Sequence, residues 1–300
     1  MKGSFVRSCL SLLALTALVA CDDGTNVPDT AFVRVLLTDA PSDYIGAAMV
    51  DIGSVELLPA GGADRVVLTD DGTDGPVDLL DLQGLATELL ADVEIPSDTY
   101  VQMRLIVESA SVTLADGYEF NSGGTTAELS VPSGAQTGIK LNLREDEEGD
   151  DESAGVEIAG GETVLVVDFD VNQSFRIQGS PNTPAGISGV SFRPTLRVVV
   201  EDVAGSISGT LSTSLMDQGL EGLVVTAEAV DSGVDEEFQS SIAACMSDAT
   251  GAYTIFFVAP GSYNVTVGTS EGVTTTPQST EVLVGESEDV TGVNFELVSG

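Results

Sequence analysis

Apolar and polar residues alternate along several short segments of the chain, a pattern typical of β-strands with one buried face. In Val101–Val107, Ile139–Leu143 and Leu165–Val171, every second residue is apolar. Near Gly53 the apolar parity shifts by one residue, and we expect a β-bulge there. The pattern therefore predicts an all-β protein.

Helical spacing of apolar residues occurs between Leu79 and Val93, at Leu82, Leu85, Ala86, Leu89 and Val93. Gly84 interrupts this segment and weakens a helix. We expect one short helix here, in the first half of the chain.

The composition changes near residues 203–205, after which Thr, Ser, Gly and Val dominate. Further short strands are expected at Ile207–Leu211, Leu223–Val230, Tyr253–Val258, Tyr263–Val267, Glu281–Val284 and Val293–Val298. Strands at this density are typical of an immunoglobulin-like or prealbumin-like sandwich. The sequence thus predicts two β-sandwich domains in tandem, covering residues 31–202 and 205–300.

The N-terminus has the features of an export signal. Lys2 and Arg7 precede an apolar stretch from Cys9 to Ala20, which is shorter than the roughly 20 residues of a membrane-spanning helix. Leu-Val-Ala before Cys21 resembles a bacterial lipobox. We expect residues 1–20 to be a lipoprotein signal peptide, Cys21 to carry the lipid, and residues 21–30 to form a tether. Whether the anchor lies in the inner or the outer membrane stays open.

The charge is strongly acidic, with 10 Lys and Arg against 48 Asp and Glu and a formal net charge of −38. No Lys or Arg occurs between Val198 and Gly300. Phosphate backbones and anionic headgroups would repel such a body, which excludes nucleic acid as a partner. Two interpretations remain: an acidic surface suited to a salty medium, or cation binding.

Catalytic chemistry is restricted because the chain has no histidine. Ser-His-Asp and Cys-His systems and His-liganded metals are therefore excluded. Cys245 has neither a histidine nor a nearby cation to activate it, and we expect a small core residue. A glycosidase with paired carboxylates is disfavoured, since the chain has no Trp and 5 Tyr to stack on sugars. We expect no enzymatic activity.

Calcium is the candidate cofactor, because clustered carboxylates and loop carbonyls are its preferred ligands. The first candidate site is the loop with Asp70, Asp71, Asp74 and Asp78. Secondary candidates are Asp39, Asp43, Asp168 and Asp170. For Asp39, the alternative is capping of a turn through its carboxylate.

The second domain resembles the carboxypeptidase regulatory-like (prealbumin-like, CnaB-related) family. The resemblance is carried by Gly205–Leu211, Gly219–Ala227, Ser247–Tyr253 and Ala259–Val265. It implies a non-catalytic sandwich. The residues themselves predict a turn before Tyr253, in which Gly251 is free to take a positive φ.

The first domain resembles a family of bacterial lipoprotein domains, number 4382 in the domain-of-unknown-function series. The residues that carry this resemblance are Val33–Asp43, Val77–Leu82, Tyr100–Leu105, Val167–Asp170 and Phe192–Val198. It implies a β-sandwich on an anchored protein and no particular activity.

Taken together, the residues favour a lipid-anchored protein of the bacterial envelope that binds or presents and does not catalyse. Its partners would be the bilayer, through the anchor, and a glycan or an envelope protein. The alternative is a purely structural spacer in a surface assembly. A glycan-active enzyme is the third and weakest interpretation.

Overall fold

The structure is a computed structural model that describes residues 30–40, 44–69, 72, 75–82, 87–131, 138–143, 155–180, 186–215, 218–230, 242–270 and 272–300. Its strands are β1 (Thr30–Ala40), β2 (Ile45–Pro59), β3 (Val66–Thr69), β4 (Val77–Asp78), β5 (Thr87–Pro96), β6 (Asp98–Leu114), β7 (Thr126–Leu129), β8 (Ile139–Asn142), β9 (Val156–Ile158), β10 (Glu162–Asp170), β11 (Phe175–Ser180), β12 (Gly186–Phe192), β13 (Leu196–Val200), β14 (Gly205–Thr213), β15 (Val224–Ala229), β16 (Ile242–Met246), β17 (Ala252–Val258), β18 (Gly261–Val267), β19 (Val273–Thr276), β20 (Thr280–Val284), β21 (Asp289–Val290) and β22 (Phe295–Ser299). Within the described residues, the α-helix α1 spans Val171–Ser174, and 3-10 helices span Ala60–Gly62, Leu79–Leu82 and Glu201–Val203.

The first domain packs two sheets face to face. One has the strand order β13-β10-β1-β5; the other has the order β3-β2-β6-β7, with β4 on β2 and with β8 and β9 on β6. The hairpin β11-β12 stands beside them. The alternating residues of β10 confirm the predicted pattern, since Leu165, Val167 and Phe169 all point into the core between the sheets.

The β-bulge predicted near Gly53 is present. The pairing of β2 with β6 shifts register between Asp51 and Ile52 and again between Ile52 and Ser54. Ile52 and Val55 both point into the core. In a regular strand, residues three positions apart would point to opposite faces, but the extra residue of the bulge returns Val55 to the inner face.

The helix predicted between Leu79 and Val93 is wrong in its position. A 3-10 helix ends at Leu82, and Thr87–Pro96 forms β5, an edge strand paired antiparallel with β1. Leu82 and Val93 do meet the same core, but from two different elements. Pairing with β1 overrides the helical spacing, since local propensity is a weak preference against tertiary contacts. The short α-helix of the first domain is α1.

The second domain also packs two sheets, with the orders β17-β14-β22-β19 and β16-β15-β18-β20, and β21 pairs with β14. Its core includes Ile207, Val225, Ile255 and Phe295 and shares no residue with the first core. The fold class is therefore confirmed as all-β, with two sandwiches in tandem. In the described part of the chain, no helix is long and apolar enough to cross a membrane.

The turn before β17 has the predicted form. Asp248 Oδ1 accepts hydrogen bonds from Thr250 N at 2.8 Å, Thr250 Oγ1 at 2.7 Å and Ala252 N at 3.0 Å. These donors, led by the Thr250 hydroxyl, lower the pKa of Asp248. Gly251 takes a φ of 81°, a conformation that a residue with a Cβ adopts at a cost.

Replacing Asp248 with Ala is expected to lower the melting temperature of the second domain, with Asp248→Asn a milder change. Because the folded state holds the pKa of Asp248 below its unfolded value, its stabilisation is present above the ordinary Asp pKa and is lost as the pH falls through the folded pKa. Thermal melts of wild type and Asp248→Ala at neutral and acidic pH should therefore converge under acid. A difference that widens under acid would contradict this role.

Candidate functional site

Asp78 is the described member of the predicted calcium loop. Its Oδ1 accepts hydrogen bonds from Ala48 N at 3.0 Å and from Leu80 N at 3.2 Å, so it ties β2 to the 3-10 helix that follows β4. Four other candidates lie outside the described residues: Asp43, Asp70, Asp71 and Asp74. For Asp39, the structure describes the backbone, within β1. Calcium binding by the loop stays a prediction.

Asp170 lies at the end of β10 and caps α1. Its Oδ1 accepts from Gln173 N at 2.9 Å, and its Oδ2 accepts from Gln173 Nε2 at 2.8 Å. An aspartate at this position satisfies an N–H group that the first helical turn leaves without a partner. The geometry thus gives Asp170 a structural role in the turn between β10 and β11.

Asp168 lies two residues earlier and faces Arg197 on the neighbouring strand β13. Arg197 Nε and Nη2 approach Asp168 Oδ2 to 2.7 Å and 2.5 Å. The two side chains are 8% and 11% exposed, which makes this a buried ion pair. Among the described residues, the second carboxylate oxygen, Oδ1, has no hydrogen-bond partner.

The environment of this pair opposes the charge on Asp168. Burial is the largest effect and raises the pKa of Asp168, and nearby Asp170 raises it further. The charge and hydrogen bond of Arg197 act in the opposite direction without cancelling the effect of burial. A cation site would also have to displace the guanidinium that already occupies Oδ2. No group of three or more acidic or cysteine side chains in the described ranges is arranged to hold a metal ion.

Arg197 also contacts the second domain. Its Nη1 donates to the carbonyl oxygen of Phe257 at 2.5 Å, and its Nη2 lies 3.5 Å from the carbonyl oxygen of Phe256. Both carbonyls belong to β17. One guanidinium therefore joins a buried carboxylate of the first sandwich to the backbone of the second. Sequence reasoning singled out Asp168 but missed Arg197.

Cys245 packs against the second core, as expected from the sequence. Burial raises the pKa of its thiol to about 12. The thiolate is the reactive form, so a rise from the ordinary pKa near 8.5 removes nearly all of it at neutral pH.

Alkylation of Cys245 by iodoacetamide at pH 8 is expected to be about a thousandfold slower in the folded protein than in urea, in line with the raised pKa of the thiol. Peptide mass spectrometry on the Cys245 peptide over time measures both rates in one sample series. Similar rates with and without urea would contradict the burial of the thiol.

Comparison with solved structures finds remote likenesses. The Bacillus anthracis TIE protein is 10% identical with a TM-score of 0.24, and the match covers 92% of this chain but 42% of that one, so the chain spans less than half of it. The minor pilin GBS52 from Streptococcus agalactiae is 9% identical over 89% of this chain and 97% of that one, with a TM-score of 0.24. The shaft pilin SpaA from Lactobacillus rhamnosus GG is 10% identical over 91% and 98%, with a TM-score of 0.25. Likenesses this weak carry no argument about function.

None of the curated proteins matches the sequence. The resemblance of residues 205–300 to the carboxypeptidase regulatory-like family stays a prediction. The family described as "Domain of unknown function (DUF4382)" matches residues 30–183, which include β1–β10 of the first sandwich and Asp168. The match extends over half of the chain and confirms the resemblance carried by the segments between Val33 and Asp170, while Phe192–Val198 lies beyond it. This chain belongs to the DUF4382 family.

Proposed function

We propose that this protein is an exported lipoprotein, tethered to the bacterial envelope through a lipid on Cys21, whose two sandwiches present a non-catalytic surface to a glycan or an envelope protein. The lipobox-like segment before Cys21 supports the tether. Two or three acyl chains give a durable anchor, since each buried CH₂ contributes about 0.8 kcal/mol.

The observation that supports a non-catalytic role is that the groups with shifted pKa values hold parts of the fold together. Active sites are normally found where pKa values are shifted in an accessible cleft. Here burial raises the pKa of three tyrosines, and each of their hydroxyls donates to a backbone carbonyl: Tyr100 to Pro96, Tyr253 to Val293 and Tyr263 to Ala259. Each of these hydroxyls ties strands or turns of its own domain together.

The remaining shifted groups also have structural partners. Asp168 pairs with Arg197, Asp248 closes its turn, and Cys245 packs on the second core. With each of these groups committed to the fold, the described part of the chain offers loops and faces for recognition and no assembled acid–base pair.

The charge favours a neutral or basic partner surface. The second domain carries no Lys or Arg, so an anionic partner would meet repulsion across its whole surface. A neutral glycan or a basic envelope protein meets none. The alternative of a structural spacer is favoured by one observation, the contact of Arg197 with both sandwiches, since a spacer must hold its parts in line.

A cross-linking pull-down from native envelopes tests the proposal. Full-length protein carrying a photo-reactive residue at exposed Glu281 of the second domain is expected to capture a defined envelope protein, or to bind defined glycans on an array. The same protein with Cys21→Ser should leave the membrane fraction and lose the envelope partner. An anchored protein that captures nothing and binds no glycan contradicts presentation and leaves the spacer role.

A further inference from the structure

The connection between the two sandwiches is short and ordered. β13 ends at Val200 and β14 begins at Gly205, and a 3-10 helix, Glu201–Val203, fills the gap. The amide of Ala204 donates to Val200 O and Glu201 O, both at 3.1 Å, which closes this turn. The segment has none of the features of a flexible Gly- or Ser-rich linker.

A second contact lies beside this connection. Ser287 N donates to Val203 O at 2.9 Å, and Ser287 Oγ donates to Asp202 O at 2.5 Å. Ser287 belongs to the turn between β20 and β21 of the second domain. The second domain therefore donates two hydrogen bonds to backbone carbonyls of the connecting 3-10 helix.

The contact with Arg197 depends on a β-bulge in β17. The pairing of β14 with β17 shifts register between Gly205 and Ile207, so that Phe256 and Phe257 together oppose Ser206. Phe257 takes a φ of 54°, which is unusual for a bulky residue. Strain of this kind persists where surrounding contacts hold it, and here both bulge carbonyls face Arg197.

The face of the first domain around Arg197 is buried although it belongs to neither core. Val166 and Val199 pair across β10 and β13 on the same face as Asp168 and Arg197. They are 1% and 7% exposed, yet neither is part of the two hydrophobic clusters. The strands β1 and β16, one from each domain, also lie against each other.

A buried ion pair is an expensive way to gain stability, because removing two charges from water costs more than their attraction often returns. The raised pKa of Asp168 shows that burial outweighs the pairing here. What a buried pair does supply is geometry, since its hydrogen bonds form in one arrangement. At this position, the hydrogen bonds of the pair fix the arrangement of the two domains relative to each other.

We propose that Asp168 and Arg197 form an interdomain lock that holds the two sandwiches in one orientation. Asp168 fixes the guanidinium, and the guanidinium holds the bulge of β17 through the carbonyls of Phe256 and Phe257. With the Ser287 turn on the connecting helix, this gives two separate attachments beside the covalent one, which prevents swivelling about residues 201–204. The lock does not depend on the identity of any partner.

Hydrogen exchange at the Ser287 amide tests the lock, because this amide donates to Val203 O of the connecting 3-10 helix and not to a partner of Arg197. In full-length protein, Arg197→Met is expected to raise its exchange rate about tenfold, as local opening of the boundary becomes easier. The double variant Asp168→Leu/Arg197→Met guards against simple unfolding, since it leaves no stranded charge. It should recover most of the melting temperature that Arg197→Met loses and still lose protection at Ser287.

The matched control is Arg193→Met, which removes the same charge from an exposed position of the first domain. Its Ser287 amide should exchange as in the wild type. The lock is overturned if Ser287 stays fully protected in the double variant, or if Arg193→Met exposes it equally. Either result leaves the pull-down prediction for the proposed function unaffected.

Discussion

Replacing Arg197 with methionine is expected to lower the free energy of unfolding of the first domain by about 3–5 kcal/mol, the usual cost of leaving one member of a buried pair behind. Asp168, 8% exposed at its side chain, would be left buried without its counter-charge. Urea denaturation at neutral pH, followed by circular dichroism, measures the loss.

The pH dependence of this loss follows from the same group. Without Arg197, the folded-state pKa of Asp168 lies still further above its unfolded value, so the folded state binds the proton more tightly. The destabilisation is therefore complete above the folded pKa and shrinks as the pH falls through it. A loss that grows under acid would contradict an uncompensated carboxylate.

Two further variants separate the pair from its charge. Asp168→Leu/Arg197→Met is expected to recover most of the loss, because apolar side chains of similar volume often replace a buried pair at little cost. Arg193→Met, at an exposed position, should change the free energy of unfolding by no more than about 0.5 kcal/mol. A double variant as unstable as Arg197→Met alone would show that the buried charge is not the cause.

The second large effect concerns the two separate cores. Phe169→Ala and Phe295→Ala each remove a fully buried ring, one from each cluster. Each change is expected to cost about 3–5 kcal/mol, from lost burial and from the cavity that remains. The loss should stay in the domain that carries the change.

Hydrogen exchange during urea titration distinguishes the domains, with β10 reporting on the first core and β22 on the second. Phe169→Ala should open β10 at lower urea and leave β22 nearly unchanged, and Phe295→Ala should do the reverse. Leu283→Ala is the surface control, since Leu283 is 71% exposed. Equal loss of protection in both strands after either core change would contradict two independent cores.

The sequence was sufficient where one face of a strand is buried and the other is not. The alternation in Leu165–Val171 identifies β10 and its inward residues, and the parity shift at Gly53 locates the bulge of β2. The turn before Tyr253 was predictable for a different reason, because Gly251 can take the positive φ that such a turn requires, whereas the hydrogen bonds of Asp248 were not predicted.

The segment 79–93 could not be assigned from spacing alone. Leu82 and Val93 fit one face of a helix, but the same residues also fit two short elements that approach one core from different sides. What decides between these is the free edge of β1, which β5 occupies. That free edge exists only in the assembled sheet, and the local sequence pattern does not predict it.

Arg197 was missed because its partners are remote in sequence. Asp168 lies 29 residues away in sequence, and the acceptor Phe257 lies 60 residues away and offers only a carbonyl oxygen. A signal did exist: an arginine within the apolar run Leu196–Val200 must find a counter-charge if it is buried. Asp168, inside another buried strand, was the matching residue.

The tether at Cys21 is tested most directly by the intact mass of the mature protein purified from membranes. We predict a chain that begins at Cys21 and carries a diacylglycerol on its sulfur. The added mass of the lipid should be absent from the Cys21→Ser variant. A mature chain that begins at another residue, or at Cys21 with a free thiol, would contradict the anchor and the presenting role that depends on it.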